Sequence, residues 1–175
     1  MLARDPIPAR TQPAAAAALA IAGIGAATLL GAWFFQYGLG LAPCPLCLQQ
    51  RIPYYVAIPL AVVVALAAWR RAPRGLIIAG LGVIVVATLI NAGLGVYHSG
   101  IEWKWWPGPQ DCSGPLAPLG SRGLLDQLQS INVVRCDEAP WRFLGLSLAG
   151  YNVLISGLMA ALALWGIAAA RRAAA

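Results

Sequence analysis

Four stretches of this chain read as almost unbroken hydrocarbon: residues 14–35, 48–69, 75–96 and 146–170. Each is long enough to cross a bilayer, which takes about 20 residues at about 1.5 Å of rise per residue. None contains Asp, Glu or Lys, and their only arginine is Arg51, at the start of the second. A transmembrane β-barrel would show short alternating segments instead. The pattern predicts an all-α membrane protein: one integral domain over 1–175, a four-transmembrane-helix bundle with outer loops at 37–47 and 97–145.

The pattern changes between the third and fourth stretches. "LGSRGLLDQLQSIN" sets Leu124, Leu125, Leu128 and Ile131 on one helical face, with Arg122, Asp126, Gln127 and Gln129 opposite. A short amphipathic helix lying on the membrane surface is expected there. Upstream, "YHSGIEWKWWPGPQDC" is aromatic and broken by Pro107 and Pro109, and Trp103, Trp105 and Trp106 suit an interfacial belt. Asn91 and Asn152 stand inside apolar stretches and are expected to hydrogen-bond between helices. Pro59 is expected to kink the second helix.

Composition agrees with a lipid solvent. Of 175 residues, 60% are hydrophobic and 10% charged, against about 25% charged in ordinary soluble domains. The net charge of +6 is unevenly placed. Both termini and the turn at 70–74 carry seven arginines against the single acid Asp5. The two remaining connections carry Arg51, Lys104, Arg122, Arg135 and Arg142, balanced by five acids. The positive-inside rule puts both termini in the cytoplasm. The excess cation therefore reports topology and not nucleic-acid binding. The first apolar run exceeds the about 7–15 residues of a signal-peptide core, so it is read as a retained anchor.

All four cysteines then face the oxidising side. Cys44 and Cys47 lie in "APCPLCLQQR", and Cys112 and Cys136 lie in the second outer loop. Disulfides persist in such compartments. Four cysteines allow three pairings, and the two-loop arrangement favours Cys44–Cys47 with Cys112–Cys136. Taken alone, the second pair reads as a staple that stabilises by about 2–4 kcal/mol. The first closes a ring over two residues, gains little chain entropy, and has the Cys-x-x-Cys form common in redox sites. Zinc is a third reading, but structural zinc often takes two close ligand pairs. Here the second pair is separated by 23 residues, and although His98 is available as a further ligand, no metal is expected.

Depth suggests the electron acceptor. Cys47 precedes Arg70 by 23 residues, or about 35 Å of helix, against a hydrocarbon core of about 30 Å. That places Cys47 at the outer boundary and at a helix N-terminus, where free N–H groups favour a thiolate. Arg51 follows one turn later on the same face. It either snorkels to headgroups or stabilises the thiolate and an acceptor that becomes anionic. A quinone dissolved in the bilayer can reach such a site laterally. No haem, dinucleotide or iron–sulfur motif offers another carrier. His98 either hydrogen-bonds a quinone carbonyl or caps its helix.

"CPLCLQQR" resembles the Cys-x-Leu-Cys-x-x-x-Arg signature of the DsbB family, the bacterial disulfide bond formation proteins B. "YHSGIEW…WPGPQDC" and "CDEAPWRFLGLSLAGYN" resemble that family's second outer loop and fourth helix. The resemblance implies a bacterial inner-membrane enzyme that reoxidises a periplasmic DsbA-like thioredoxin-fold partner and passes electrons to ubiquinone or menaquinone. It implies that the partner's thiolate attacks Cys112 and that Cys136 carries the reducing equivalents to Cys44. Cys47 is then released as a thiolate that stacks against or adds to the quinone ring beside Arg51, with His98 nearby. The alternatives are a vitamin K epoxide reductase-like oxidase, whose redox motif usually falls late in the bundle, and an inert four-helix scaffold with two structural disulfides.

Overall fold

The computed structural model describes residues 12–109 and 135–172. Cys112 and the amphipathic helix expected within 119–132 lie outside the described residues. Among the described residues, four helices are long and apolar enough to cross a membrane. α1 is Gln12–Trp33, continued by a π-helical turn, Phe34–Gly38. α2 is the short helix Pro45–Gln49, and α3 is Ile52–Trp69. α4 is Arg74–Glu102 and α5 is Leu148–Arg172.

Backbone physics accounts for this choice. In hydrocarbon every N–H and C=O must be satisfied within the segment, which helices achieve. α1 packs on α3 and α5, while α4 packs on α5 and α3, so the four form a closed ring. The interior is lined with small residues, among them Ala18, Ala57, Ala61, Ala65 and Ala163, around the larger Ile21, Leu81, Ile84 and Met159. Small side chains let backbones approach, the main source of helix association in lipid. A Cβ on Gly80 would lie 2.5 Å from Val64 Cγ2, so α3 and α4 touch there. Leu30, Val63, Val86, Ile90 and Leu154 point outward, as surfaces solvated by lipid do.

Three boundaries differ from the pattern reading. The second span is two helices: Arg51 N–H bonds Leu48 C=O at 3.1 Å, a tight turn that separates α2 from α3. α4 runs to Glu102, six residues past the apolar stretch, and carries His98 inside the helix. The fourth helix starts at Leu148, because Arg142–Phe143 (β1) and Leu146–Ser147 (β2) form a small antiparallel hairpin first. Its two turn residues, Leu144 and Gly145, both have positive φ (48° and 83°), the backbone that two-residue hairpins require. The Gly150 N–H then donates to Ser147 Oγ at 3.2 Å and caps α5.

The polar residues within the spans pair as expected. Asn91 Nδ2 on α4 donates to Asn152 Oδ1 on α5 at 3.1 Å and to Ser156 Oγ at 3.1 Å. α3 is continuous through Pro59. At the far end of α4 the chain reverses through Lys104 (φ 62°). Trp106 folds back there, stacked on Tyr97 with ring centroids 6.3 Å apart, its Nε1 donating to Tyr97 C=O at 2.8 Å. Gly100 leaves room for that ring, since any Cβ there would overlap it. Trp103, Trp105 and Trp106 are all exposed, consistent with an interfacial belt.

Candidate redox site

The "CPLC" segment folds as a helix start. Pro45 occupies a first-turn position, where its missing N–H costs nothing, and Cys44 is the N-cap with extended backbone (φ −73°, ψ 165°). The Cys44 sulfur accepts the Cys47 N–H at 3.2 Å, the bond a capping oxygen usually makes. Cys44 and Cys47 are free thiols whose sulfurs lie 2.6 Å apart. They face each other where the disulfide expected between them would form.

This geometry puts the other sulfur of the pair at the helix cap. The sequence placed Cys47 at the helix N-terminus. Because the helix begins at Pro45, the cap is Cys44 instead. The Cys47 thiol, then His98, then the Cys47 N–H all favour negative charge on Cys44, and together they outweigh burial and bring its pKa down to about 5.

His98 is buried, with Nε2 3.7 Å from Cys44 Sγ and 3.8 Å from Glu102 Oε1. Its Nδ1 meets Gln50 Nε2 at 2.8 Å. The two-residue break between α2 and α3 thus sends consecutive side chains to opposite tasks, Gln50 inward to His98 and Arg51 toward α1. Arg51 Nη1 donates to Gln36 Oε1 in the π-helical turn at 2.6 Å. The charge lines the cavity that holds the sulfurs; its hydrogen bond goes to Gln36.

That cavity measures about 280 Å³ and is bounded by α1, α2, α3, α4, α5 and the segment before β1. Leu29, Phe35, Leu148 and Ile155 make its walls apolar. Cys44, Cys47, Arg51, His98 and Glu102 supply the polar side. Trp141 touches Phe35, with centroids 5.0 Å apart, and joins the hairpin segment to the end of α1.

Cys136 is disulfide-bonded and 1% exposed. It packs in a small apolar cluster with Cys44, Leu46 and Ile101, against which Cys47 also rests. Lys104, just past α4, holds this segment by bonding both the backbone oxygen (3.0 Å) and the carboxylate of Asp137. Arg135 grips the same carboxylate at 2.8 and 2.9 Å. These two cations hold the Asp137 carboxyl well below the usual range, Arg135 most strongly.

Five residues singled out from the sequence therefore converge: Cys44, Cys47, Arg51, His98 and Cys136. Gln36, Gln50, Tyr54, Glu102 and Asn152 were not singled out as site residues. Two of them carried a signal: Asn152 as a polar residue inside an apolar stretch, and Glu102 as an acid four residues after His98. The Cys44, Cys47 and His98 donor atoms lie within 4.8 Å of one another, the spacing of a metal triad.

The family model described as "Disulfide bond formation protein DsbB" matches residues 14–166. The chain belongs to the DsbB family. It is 33% identical over 150 residues to the disulfide bond formation protein B of Azoarcus sp. (strain BH72), covering 84% of this chain and 88% of that protein. It is 33% identical over 143 residues to the protein of that name from Aromatoleum aromaticum, covering 79% and 82%. The Marinobacter nauticus protein is 32% identical over 148 residues, covering 80% and 83%. No solved structure matches the chain significantly. With four membrane-length helices, this member of the DsbB family is a multi-pass membrane oxidoreductase of disulfide bond formation.

Proposed function

We propose that the protein reoxidises a soluble periplasmic thioredoxin-fold dithiol oxidase and delivers the electrons to membrane quinone from the bacterial inner membrane, its termini cytoplasmic and its cysteines periplasmic. The presence of buried Cys136 in the same apolar cluster as Cys44, beside a cavity lined by Arg51, carries this reading. A second cysteine pair has no need of such a place if it only staples a loop.

The exchange chemistry balances. A thiolate of the reduced partner attacks Cys112 of a Cys112–Cys136 disulfide, and Cys136 leaves as thiolate. The partner's second thiol then attacks the mixed disulfide, so the partner departs oxidised. Cys136 attacks Cys44 of the Cys44–Cys47 disulfide, and Cys47 becomes the leaving group. When Cys112 closes back on Cys136, Cys44 is expelled as a thiolate, which its N-cap contacts favour. The pair is then a dithiol, and a quinone held in the cavity would be the acceptor for its two electrons and two protons.

The residues fit such a ring. Apolar walls and about 280 Å³ suit a flat headgroup, close to the lower end of ordinary ligand pockets. Arg51 is a permanent donor for a carbonyl oxygen gaining negative charge. As oxidation completes, Cys44 closes on Cys47, whose sulfur is already in contact. The arginine excess on the other face supports the orientation.

Purified protein in detergent with ubiquinone and a reduced thioredoxin-fold oxidase should lose quinone absorbance as the partner is oxidised, and Cys47→Ser should abolish this. A Cys136→Ala variant should trap the partner on Cys112. An unchanged quinone spectrum together with no trapped partner would overturn the proposal. Labelling of Cys47 by impermeant maleimide only from the cytoplasmic side would overturn the orientation.

A further inference from the structure

A buried chain of amides runs from α5 to the redox pair, oriented from the Asn91 backbone carbonyl and leaving Asn91 Oδ1 without a partner among the described residues. One end is a group that only accepts, the Asn91 backbone carbonyl, which takes Asn152 Nδ2–H at 3.4 Å. The same nitrogen donates to Gln50 Oε1 at 2.7 Å. Asn152 Oδ1 correspondingly accepts from Tyr54 OH at 2.7 Å and from Asn91 Nδ2 at 3.1 Å. With its oxygen engaged, Gln50 presents its amide nitrogen to His98 Nδ1 at 2.8 Å. An amide nitrogen offers only protons, so Nδ1 must be the lone-pair nitrogen of the ring. A neutral imidazole then carries its proton on Nε2, the nitrogen that faces Cys44 Sγ. Gln50, Asn91, His98 and Asn152 are all at most 8% exposed, so bulk water does not compete for these bonds.

We propose that Gln50 and Asn152 are positioning residues that lock His98 in its Nε2–H tautomer, making it a hydrogen-bond donor to the Cys44 sulfur and not a base for the Cys44 proton. The proposal rests on the reading of Cys44 as a redox cysteine. A ring nitrogen that already holds a proton cannot take one from a thiol. It can stabilise the thiolate each time one forms, in a place where an unpaired anion would be costly.

The lock has a second consequence. Cys44, Cys47 and His98 have the spacing of a metal triad, and two thiolates with an imidazole suit zinc. Coordination through Nε2 needs a lone pair that the locked tautomer lacks. Gln50 thus guards the reduced pair against capture by soft divalent metals. A carboxylate in its place would do the opposite, accepting Nδ1–H and freeing Nε2, as in carboxylate–histidine–zinc arrangements. Among the described residues, the other ionisable groups facing the ring are Glu102 on its own helix and Cys47 on α2, with Arg142 beyond Glu102.

His98 is the chain's single histidine, so 15N-histidine labelling reports it alone. The experiment is NMR of the reduced, quinone-free full-length protein in micelles, above the imidazole titration. The expected spectrum has the proton on Nε2 and a bare Nδ1. Gln50→Glu should move the proton to Nδ1 and tighten zinc binding at least about tenfold, the low end of such effects. Asn152→Leu should give a mixture of tautomers. Should that variant not fold, Gln50→Glu alone decides, because it replaces an amide by a group of the same shape. A proton on Nδ1 in the unmodified protein, or a tautomer and zinc affinity unmoved by Gln50→Glu, would overturn the proposal. No turnover is involved, so a loss of quinone reduction with the tautomer intact would count against the functional reading instead.

Discussion

Arg51 Nη1 donates to Gln36 Oε1 at 2.6 Å, tying the break between α2 and α3 to the π-helical turn that ends α1. The bond fixes where the guanidinium sits on the cavity wall without neutralising it, since its partner is an amide. π-helical turns of this kind often mark functional sites. Here the turn brings Phe35 to the cavity wall and Gln36 to Arg51, which lines it.

Arg51→Lys keeps the charge but loses the planar fork of donors. It should weaken quinone affinity about tenfold, near 1.4 kcal/mol, with partner-thiol exchange at Cys112 unchanged. Gln36→Ala should have a smaller effect in the same direction. Quinone titration of the purified variants measures both, and equal affinities for Arg51→Lys and the parent would remove the guanidinium from the site.

The Cys44 thiolate should persist far into acid. With the folded pKa lowered from 9.0 to about 5, the anion dominates at neutral pH and is lost only as pH falls through about 5. Absolute rates at pH 7 are a poor test, because a less basic thiolate is less nucleophilic, with a Brønsted slope of about 0.4–0.5. The midpoint of Cys44 alkylation against pH, read by peptide mass spectrometry on reduced protein, is the discriminating quantity. A midpoint near 9 would show that the cap contacts do not act on this sulfur.

α4 and α5 touch through Gly95, where a Cβ would meet Val153 Cγ2 at 2.8 Å and the Ala149 backbone oxygen at 3.2 Å. The backbone oxygen cannot turn aside. Gly95→Ala should cost about 1–3 kcal/mol and disturb the Asn91–Asn152 pair. Gly93→Ala, which meets nothing within 4 Å, should leave stability unchanged or slightly raised. Reversible unfolding in mixed micelles separates the two.

Asp137 draws Lys104 and Arg135 onto the residue after Cys136. These side chains are substantially exposed, so global stability should hardly respond to Asp137→Ala. Positioning should respond, with slower exchange between Cys136 and Cys44 in a stopped-flow reduction of the second pair. The carboxyl pKa is depressed in the fold. The tether should therefore be complete above the ordinary carboxylate range and loosen only in stronger acid. Unaltered exchange in Asp137→Ala would mean that the ion pairs do not hold Cys136 in place.

Much of the site was legible because its chemistry is local. Cys44, Pro45, Cys47 and Arg51 fall within eight residues, and a helix N-terminus there follows from proline and the start of an apolar run. Which sulfur caps that helix was not legible, since a shift of three residues in the first turn exchanges the roles of Cys44 and Cys47. The contribution of Gln50 was equally hidden. In "LQQR" it looks like its neighbour Gln49, which is exposed, and only the tight turn after α2 sends Gln50 to the interior.

The sequence by itself determined the four spans and the charge asymmetry between their ends. The bilayer acts as a solvent that accepts long apolar helices and little else, so these features need no knowledge of which helix touches which. It also determined that two cysteines and an arginine stand within eight residues at the start of the second span. Only the tertiary structure decided that Gln50, Asn91, His98 and Asn152, from three different helical segments, share one run of hydrogen bonds. Such bonds depend on angstrom-scale rotation and depth of packed helices, which small residues set by close contact and which no hydrophobic pattern encodes.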